Sequence, residues 1–178
     1  MQPDYFAFYD LPESFLPDEK ALKTKYYALS RQYHPDFHAT APAEEQQRVL
    51  ELSTQNTSAY RTLSDFDLRL QYILQRHGLL EEGKQELPAD FLMEVMELNE
   101  QLMELEFDFD PEAAARVRAE VERLENELEA EARPVLESYP ALPEEQRPAA
   151  RLQARTYYLK RRYLLRIRES LAKFATRS

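Results

Sequence analysis

The sequence predicts an all-helical protein, and two observations lead to that prediction. The 178 residues include only two glycines, whereas about 7% is usual, and glycine supplies the positive φ angles that hairpins and phosphate-binding loops need. Apolar residues recur along the chain at the three- and four-residue spacing of amphipathic helices. Sandwich, dinucleotide-binding and P-loop folds are therefore not expected, and a hydrophobic content of 43% is too high for a disordered chain.

Four helical segments are predicted in the first half of the chain. The second opens with Pro17 and two acidic residues and must end at Tyr33 or His34, because Pro35 disfavours the helical conformation in the residue before it. Gly78 is well placed to cap the fourth segment. The segments cover 4–11, 17 to 33 or 34, 42–63 and 65–77.

Three longer helices are predicted after a break in composition. Both glycines and Pro88 fall within 78–89, so we predict a first domain at 1–77, a linker at 78–87 and a second domain at 88–178. The helices of the second domain span about 88–109, 110–138 and 143–176, and short loops favour an antiparallel three-helix bundle. Pro134 is expected to kink or end the middle helix near Arg133.

Two further features bound the function. Cysteine is absent, which excludes disulfides, thiolate metal sites and cysteine nucleophiles. No apolar run of membrane-spanning length and no leader peptide is visible. We expect a cytoplasmic protein with no cofactor, no metal and no membrane partner.

Charge is unevenly distributed. The net charge is −14 over 81–131 and +9 over 147–178. One interpretation is that the basic last helix complements the acidic helices of the same bundle. The other is nucleic-acid binding by 147–178, although the acidic surroundings would repel phosphates and no groove-reading motif accompanies the basic segment.

The one sharp local motif is His34-Pro35-Asp36. Pro35 ends a helix abruptly, which leaves the flanking imidazole and carboxylate in a loop and able to meet a partner. Three other readings stay open: a turn or helix cap, a metal site that adds His38, and general acid–base catalysis. No nucleophile motif or phosphate loop completes an active site, so we do not expect an enzyme.

The preceding helix carries a basic stripe opposite its apolar face. At 100° per residue this stripe contains Lys20, Lys23, Tyr27 and Arg31. A solvated face is the ordinary explanation for such a stripe. Its continuity with His34 and Asp36 favours an acidic partner protein.

At this point the chain resembles a J-domain over nearly all of 1–77. The matching stretches are Asp4-Tyr5-Phe6, Arg31-Gln32-Tyr33-His34-Pro35-Asp36 and Ala59-Tyr60-Arg61-Thr62-Leu63-Ser64-Asp65, followed by Arg69 and Tyr72. The resemblance implies docking on a DnaK-type chaperone and stimulation of its ATPase. It assigns activation to the triplet and docking to Lys20, Lys23, Tyr27 and Arg31. Two positions depart from the family pattern: Phe37 stands where a basic residue is frequent, and Ile73 where an aspartate is usual.

The rest of the chain resembles the HscB-type co-chaperones of iron–sulfur cluster assembly. The stretch that carries this second resemblance is Phe91-Leu92-Met93-Glu94-Val95-Met96-Glu97-Leu98-Asn99-Glu100. The resemblance implies that the second domain binds an IscU-type scaffold protein and that the chaperone partner is HscA-like. The positions that match scaffold-binding residues are Leu92, Met93, Met96, Glu97, Glu100, Glu104 and, on the last helix, Tyr158.

Helix periodicity in the same stretch points to a surface independently of the family. A complete core stripe is formed by Phe91, Val95, Leu98, Leu102, Leu105 and Phe109. A second apolar strip lies beside it, bordered by Glu97, Glu100 and Glu104, and consists of Leu92, Met93, Met96, Met103 and Phe107. Either two neighbouring helices bury this second strip, or it is an exposed, adaptable binding surface for a basic partner.

The sequence thus predicts a co-chaperone that is not itself an enzyme. It would bring an iron–sulfur scaffold to a DnaK-type ATPase and accelerate hydrolysis. A J-protein with a different client and a helical nucleic-acid-binding protein are the alternatives.

Overall fold

The structure is a computed structural model that describes residues 3–80 and 86–175, and every regular element in those ranges is helical. The all-helical class expected from the sequence is confirmed. In chain order the helices are α1 (Tyr5–Phe8), α2 (Glu19–Gln32), α3 (Ala43–Ser64), α4 (Phe66–Arg76), α5 (Ala89–Glu94), α6 (Met96–Phe107), α7 (Pro111–Ser138) and α8 (Arg147–Ala175), with 3₁₀ turns at Pro35–His38 and Tyr139–Ala141. None of these helices has the length and apolarity needed to cross a membrane.

The chain forms two compact units. The first comprises residues 1–77 with Tyr139–Ala141, and the second comprises 78–138 with 142–178. Tyr139–Ala141 lie within the range that the sequence analysis gives to the second domain. They belong to the first unit because the Tyr139 ring is fully buried, with its centroid 4.6 Å from that of Phe15. Residues 81–85 of the predicted linker lie outside the described residues.

Helix α2 begins and ends where the sequence signals place it. The Asp18 carboxylate accepts hydrogen bonds from the backbone N–H groups of Lys20 and Ala21 at 2.8 and 3.3 Å, which caps the helix. At the other end His34 has an extended backbone with ψ of 125°, as expected of the residue before Pro35. The buried face of α2, centred on Leu22, packs against α3.

Asn56 connects α3 to two other parts of the first unit. Its side chain is buried, and its amide donates to the Tyr26 carbonyl at 3.1 Å and to the Ser30 hydroxyl at 2.9 Å. Its Oδ1 accepts a 2.9 Å hydrogen bond from the Tyr9 hydroxyl, and burial raises the pKa of that hydroxyl. The carboxamide therefore joins α2, α3 and the segment after α1 through satisfied buried bonds.

Helix α4 closes the first unit through two buried polar side chains. The Arg69 guanidinium donates from Nε to the Phe15 carbonyl at 2.8 Å and also to the Leu63 carbonyl; burial lowers its pKa. The Tyr72 hydroxyl donates to the Pro3 carbonyl and accepts from the Tyr5 N–H, both at 2.8 Å. These bonds hold the start of the chain and the segment before α2 on α4.

The second unit is built around helices α6, α7 and α8. Its core holds Phe91 and Val95 from the α5–α6 region together with buried aliphatic side chains, namely Leu98, Leu105, Val117, Val121, Leu124, Leu164, Ile167 and Leu171. An ion pair between Arg168 and Glu125, 3.0 Å apart, joins α8 to α7. The predicted three-helix arrangement over this range is therefore present.

One prediction about helix continuity is wrong, and of the two alternatives given for Pro134 the helix end does not occur. The single helix predicted over 88–109 is divided at Val95, whose φ and ψ are −90° and 0°, and the Asn99 side-chain amide donates to the Val95 carbonyl at 2.9 Å, beside the backbone bond to the same oxygen. Helix α7 does not end at Pro134 but continues to Ser138. Arg133 pairs with Glu129 and Glu137, at 2.9 and 3.1 Å, and so bridges the turns on both sides of the proline.

Replacing Asn56 by Ala is expected to lower the free energy of unfolding of the first unit by about 2 kcal/mol or more, because partners in α2 and the Tyr9 hydroxyl would lose their buried bonds. Thr57→Ala is the matched control, since that exposed side chain bonds only to the Ser53 carbonyl of its own helix. Urea unfolding monitored by circular dichroism measures both. Equal midpoints for the two variants would show that the Asn56 network does not stabilise the unit.

Candidate functional site

The His34-Pro35-Asp36 triplet lies at the junction between α2 and the following 3₁₀ turn. His34 is the residue that caps this turn, and its Nδ1 accepts a 3.3 Å hydrogen bond from the Asp36 N–H. Its Nδ1 is 3.7 Å from a carboxylate oxygen of Asp36. A cap is present, as one reading of the motif expects, but the capping side chain is His34, which accepts the hydrogen bond, and not Asp36.

The polar groups of the triplet face solvent. The side chains of His34 and Asp36 are 51% and 86% exposed. Phe37, the next residue, is 71% exposed, with its ring centroid 5.5 Å from that of His34. The turn therefore presents an imidazole, a carboxylate and a phenyl ring side by side to solvent.

The metal reading of the motif is not supported by the geometry. The His38 ring nitrogen Nε2 lies 3.0 Å from the Gln32 carbonyl oxygen, so this histidine is engaged with the end of α2. Across residues 3–80 and 86–175, no group of three or more histidine, aspartate and glutamate side chains is arranged to hold a metal ion.

The predicted basic stripe of α2 is exposed along its whole length. Lys20, Lys23 and Arg31 are exposed, and none of them forms an ion pair with another described residue. Tyr27 lies in the same stripe and is 61% exposed. The neighbouring Tyr26 stacks on Tyr60 of α3, 4.3 Å between centroids, and so belongs to the opposite face. Helix α2 thus presents cations and one aromatic ring beside the triplet.

The structure also decides between the two readings of the second apolar strip. Each of its five members is exposed, at 45% for Leu92, 77% for Met93, 60% for Met96, 62% for Met103 and 91% for Phe107. The core stripe of the same helices is buried, with Phe91, Val95, Leu98 and Leu105 at 3% or less. The strip is therefore a surface of the second unit and not a second core face.

Carboxylates border the strip. Glu97, Glu100 and Glu104 are exposed, and none is ion-paired with a described residue. No lysine or arginine occurs between residues 89 and 107. An apolar surface with a negative border is suited to a partner that combines an apolar patch with basic residues.

Tyr158 does not share this exposure. The side chain is buried, at 5% exposed, and the Arg162 guanidinium carbon lies 5.8 Å from its ring centroid. The expectation that Tyr158 offers a contact surface is therefore corrected. Helix α8 buries three successive residues, Tyr157, Tyr158 and Leu159, and a position in such a run cannot be assigned to surface or core from periodicity alone.

Sequence reasoning did not assign Leu50, which is 53% exposed on α3. With Pro35 and His38 it lines a cavity of about 310 Å³ beside the triplet. Helix periodicity could have identified Leu50 as exposed, because it lies outside the apolar face of α3. That face consists of Val49, Leu52, Asn56, Ala59 and Leu63.

The fold and these two surfaces define a class of protein: a helical module with a solvent-facing His-Pro-Asp turn, coupled to a separate helical bundle with its own exposed apolar strip.

Residues 87–172 match the family model described as the HSCB C-terminal oligomerisation domain. The chain is 35% identical over 131 residues to the co-chaperone protein HscB homolog of Chromobacterium violaceum, covering 71% of this chain and 75% of that protein. It is 36% identical over 113 residues to the Vibrio cholerae homolog, covering 62% and 66%.

Solved structures give the same result for the fold. The crystal structure of human co-chaperone protein HscB matches with a TM-score of 0.69 and 29% identity, covering 96% of this chain and 81% of that chain. The chaperone HscB from Vibrio cholerae matches with a TM-score of 0.61 and 28% identity, covering 95% and 99%. The chain belongs to the HscB co-chaperone family.

Because the strip is solvent-exposed, replacing Leu92, Met93 and Met96 together by Ala is expected to change the free energy of unfolding of the second unit by less than about 1 kcal/mol. Leu98→Ala, on the buried face of α6, is the matched control and is expected to destabilise by about 2–5 kcal/mol. Thermal unfolding by circular dichroism measures both. A triple variant less stable than Leu98→Ala would mean that the strip is buried in solution.

Proposed function

We propose that this co-chaperone accelerates ATP hydrolysis by a DnaK-type, HscA-like chaperone and delivers an IscU-type iron–sulfur scaffold protein to it. The observation that carries the proposal is that the chain exposes two chemically different surfaces on two separate units. One is basic with a His-Pro-Asp turn, and the other is apolar with an acidic border. Two surfaces of this kind suit a protein that binds two partners at once.

The first surface is proposed to dock on the chaperone. The cations Lys20, Lys23 and Arg31, with Tyr27 between them, would attract an acidic face of the ATPase, and Coulombic attraction sets orientation and association rate. His34 and Asp36 would then contact the chaperone from a turn that Pro35 holds at the end of α2. We place the hydrolysis in the partner and regard this chain as its activator.

The second surface is proposed to hold the scaffold protein. Leu92, Met93 and Met96 provide apolar area, and methionine adapts its shape to irregular partners. Glu97, Glu100 and Glu104 would select for a scaffold with basic residues around an apolar patch. Tyr158 is left out of this surface because it is buried. The chain has no cysteine, so the cluster itself would stay on the scaffold.

The alternatives predict different measurements. A J-protein for another client would stimulate the chaperone without binding an IscU-type scaffold. A nucleic-acid-binding protein would be retained on DNA in a salt-dependent way through 147–178. In the structure, basic side chains of α8 are engaged elsewhere: Arg168 pairs with Glu125, and the ammonium of Lys160 lies 5.3 Å from the Phe91 ring centroid. These contacts favour the co-chaperone over the nucleic-acid reading.

Replacing His34 by Gln is expected to reduce the stimulated ATPase rate of the DnaK-type chaperone to its basal level, because the turn loses its imidazole while α2 and α3 remain packed. His38→Gln is the matched control, a second histidine of the same turn that contacts only the chain's own Gln32 carbonyl among its described hydrogen bonds. Steady-state phosphate release measures both. Full stimulation by the His34 variant would remove the proposed role of the triplet.

The triple substitution of Leu92, Met93 and Met96 by Ala is expected to weaken binding of the IscU-type scaffold by at least about tenfold, since side chains at the centre of an interface carry most of its affinity. Isothermal titration calorimetry at two salt concentrations measures this loss. The wild-type affinity is also expected to fall as salt rises, because salt screens the carboxylate border. Unchanged affinity in a folded triple variant would contradict the proposed scaffold surface.

A further inference from the structure

The exposed strip continues past the apolar residues assigned to scaffold binding, which end at Met96. Within α6, Met96, Met103 and Phe107 follow at i, i+7 and i+11 and lie within about 40° of one another at 100° per residue. They are 60%, 62% and 91% exposed. The rise along the helix from Met96 to Phe107 is about 16 Å, so the apolar strip runs the whole length of α6.

No described residue covers the far end of the strip. Phe107 is the last residue of α6 and the most exposed large hydrophobic side chain in the described ranges. Leu98, Leu105 and the partly buried Leu102 point to the core and satisfy the packing of this helix. Met103 and Phe107 are therefore not needed for folding, and leaving them in water is unfavourable by the transfer free energy of their apolar area.

The chemistry around Met103 and Phe107 matches that around the first part of the strip. Glu100 lies between Met96 and Met103 on the same face, and Glu104 follows on the flank. Neither carboxylate forms an ion pair with a described residue, although Arg116 lines the same cavity as Glu104. The apolar surface and its negative border are thus continuous from Leu92 to Phe107.

We infer that Met103 and Phe107 form a second part of the scaffold-docking surface, which contacts an apolar patch of the scaffold protein and places Glu100 opposite a basic residue of that partner. The inference rests on the proposed function and extends it. A partner bound by Leu92, Met93 and Met96 alone would leave the most exposed aromatic ring of this unit in water. A partner that follows the strip to its end covers that ring and also contacts the last turn of α6.

The negative charge along the border of the strip favours the scaffold protein, and not a second copy of this chain, as the partner that covers it. Two copies that met along this strip would bring Glu97, Glu100 and Glu104 of one chain near the same carboxylates of the other. Like charges held close together in an interface oppose association. A heterologous partner with basic residues avoids this repulsion.

The test compares four full-length variants by isothermal titration calorimetry with the IscU-type scaffold protein: the Met103→Ala/Phe107→Ala double variant, the Leu92/Met93/Met96 triple alanine variant, Glu100→Gln, and Leu152→Ala. Leu152 is the control, because it is 53% exposed and lies on α8, outside α5 and α6. The double variant is expected to weaken binding about tenfold or more, Glu100→Gln to reduce the salt dependence of binding, and Leu152→Ala to leave the affinity within twofold of wild type. Thermal unfolding of each variant shows whether it is folded.

The remaining outcomes separate this inference from the proposed function. If the triple variant loses affinity and the folded double variant stays within twofold of wild type, the inference is wrong and the proposed function stands. If neither variant loses affinity, the proposed scaffold surface itself is wrong. If the double variant instead abolishes self-association measured by analytical ultracentrifugation and leaves scaffold affinity intact, the strip is covered by a second copy and the inference is overturned.

Discussion

The pairing of α2 with α3 is the constraint on which the first functional surface depends. The buried carboxamide of Asn56 bonds to Tyr26 and Ser30 of α2 and accepts from Tyr9. These bonds set the rotation of α2, so that its aliphatic face meets α3 and its cations face water. Pro35 ends α2, because the residue before a proline avoids the helical conformation, and it turns the chain outward. The exposed position of His34 and Asp36 is a consequence of packing several residues away.

In the second unit, α6 likewise has one buried face and one exposed face. One face of this helix is buried by α7 and α8, and that burial is sufficient to hold it in place. The opposite face is therefore not needed for packing and is exposed. The methionine, leucine and phenylalanine side chains of the strip lower solubility and contribute nothing to the core. A partner that covers them would explain why they are there. In both units folding uses one helix face and leaves the other exposed, which is the face that the proposed function uses for recognition.

The sequence predicts the first unit more fully than the second, and the reason is physical. Helix ends at Asp18, Pro35 and Gly78 depend on local backbone chemistry, which is written in neighbouring residues. The division at Val95 is a local change of backbone angles inside an apolar pattern that continues unbroken from α5 into α6, so the pattern does not reveal it. The continuation of α7 past Pro134 is likewise not signalled by the proline itself. The exposure of the α6 strip and the burial of Tyr158 are likewise set by which helices pack together.

The central claim is that one chain must carry both surfaces at once, and complementation between variants tests it most directly. Chaperone ATPase activity is measured with the scaffold present and with an equimolar mixture of His34→Gln and the Leu92/Met93/Met96 triple alanine variant. If the chain bridges scaffold and chaperone, the mixture cannot restore the rate seen with wild type, because neither molecule holds both partners. Restoration of the full wild-type rate by the mixture would contradict the bridging account and show that the two surfaces act independently.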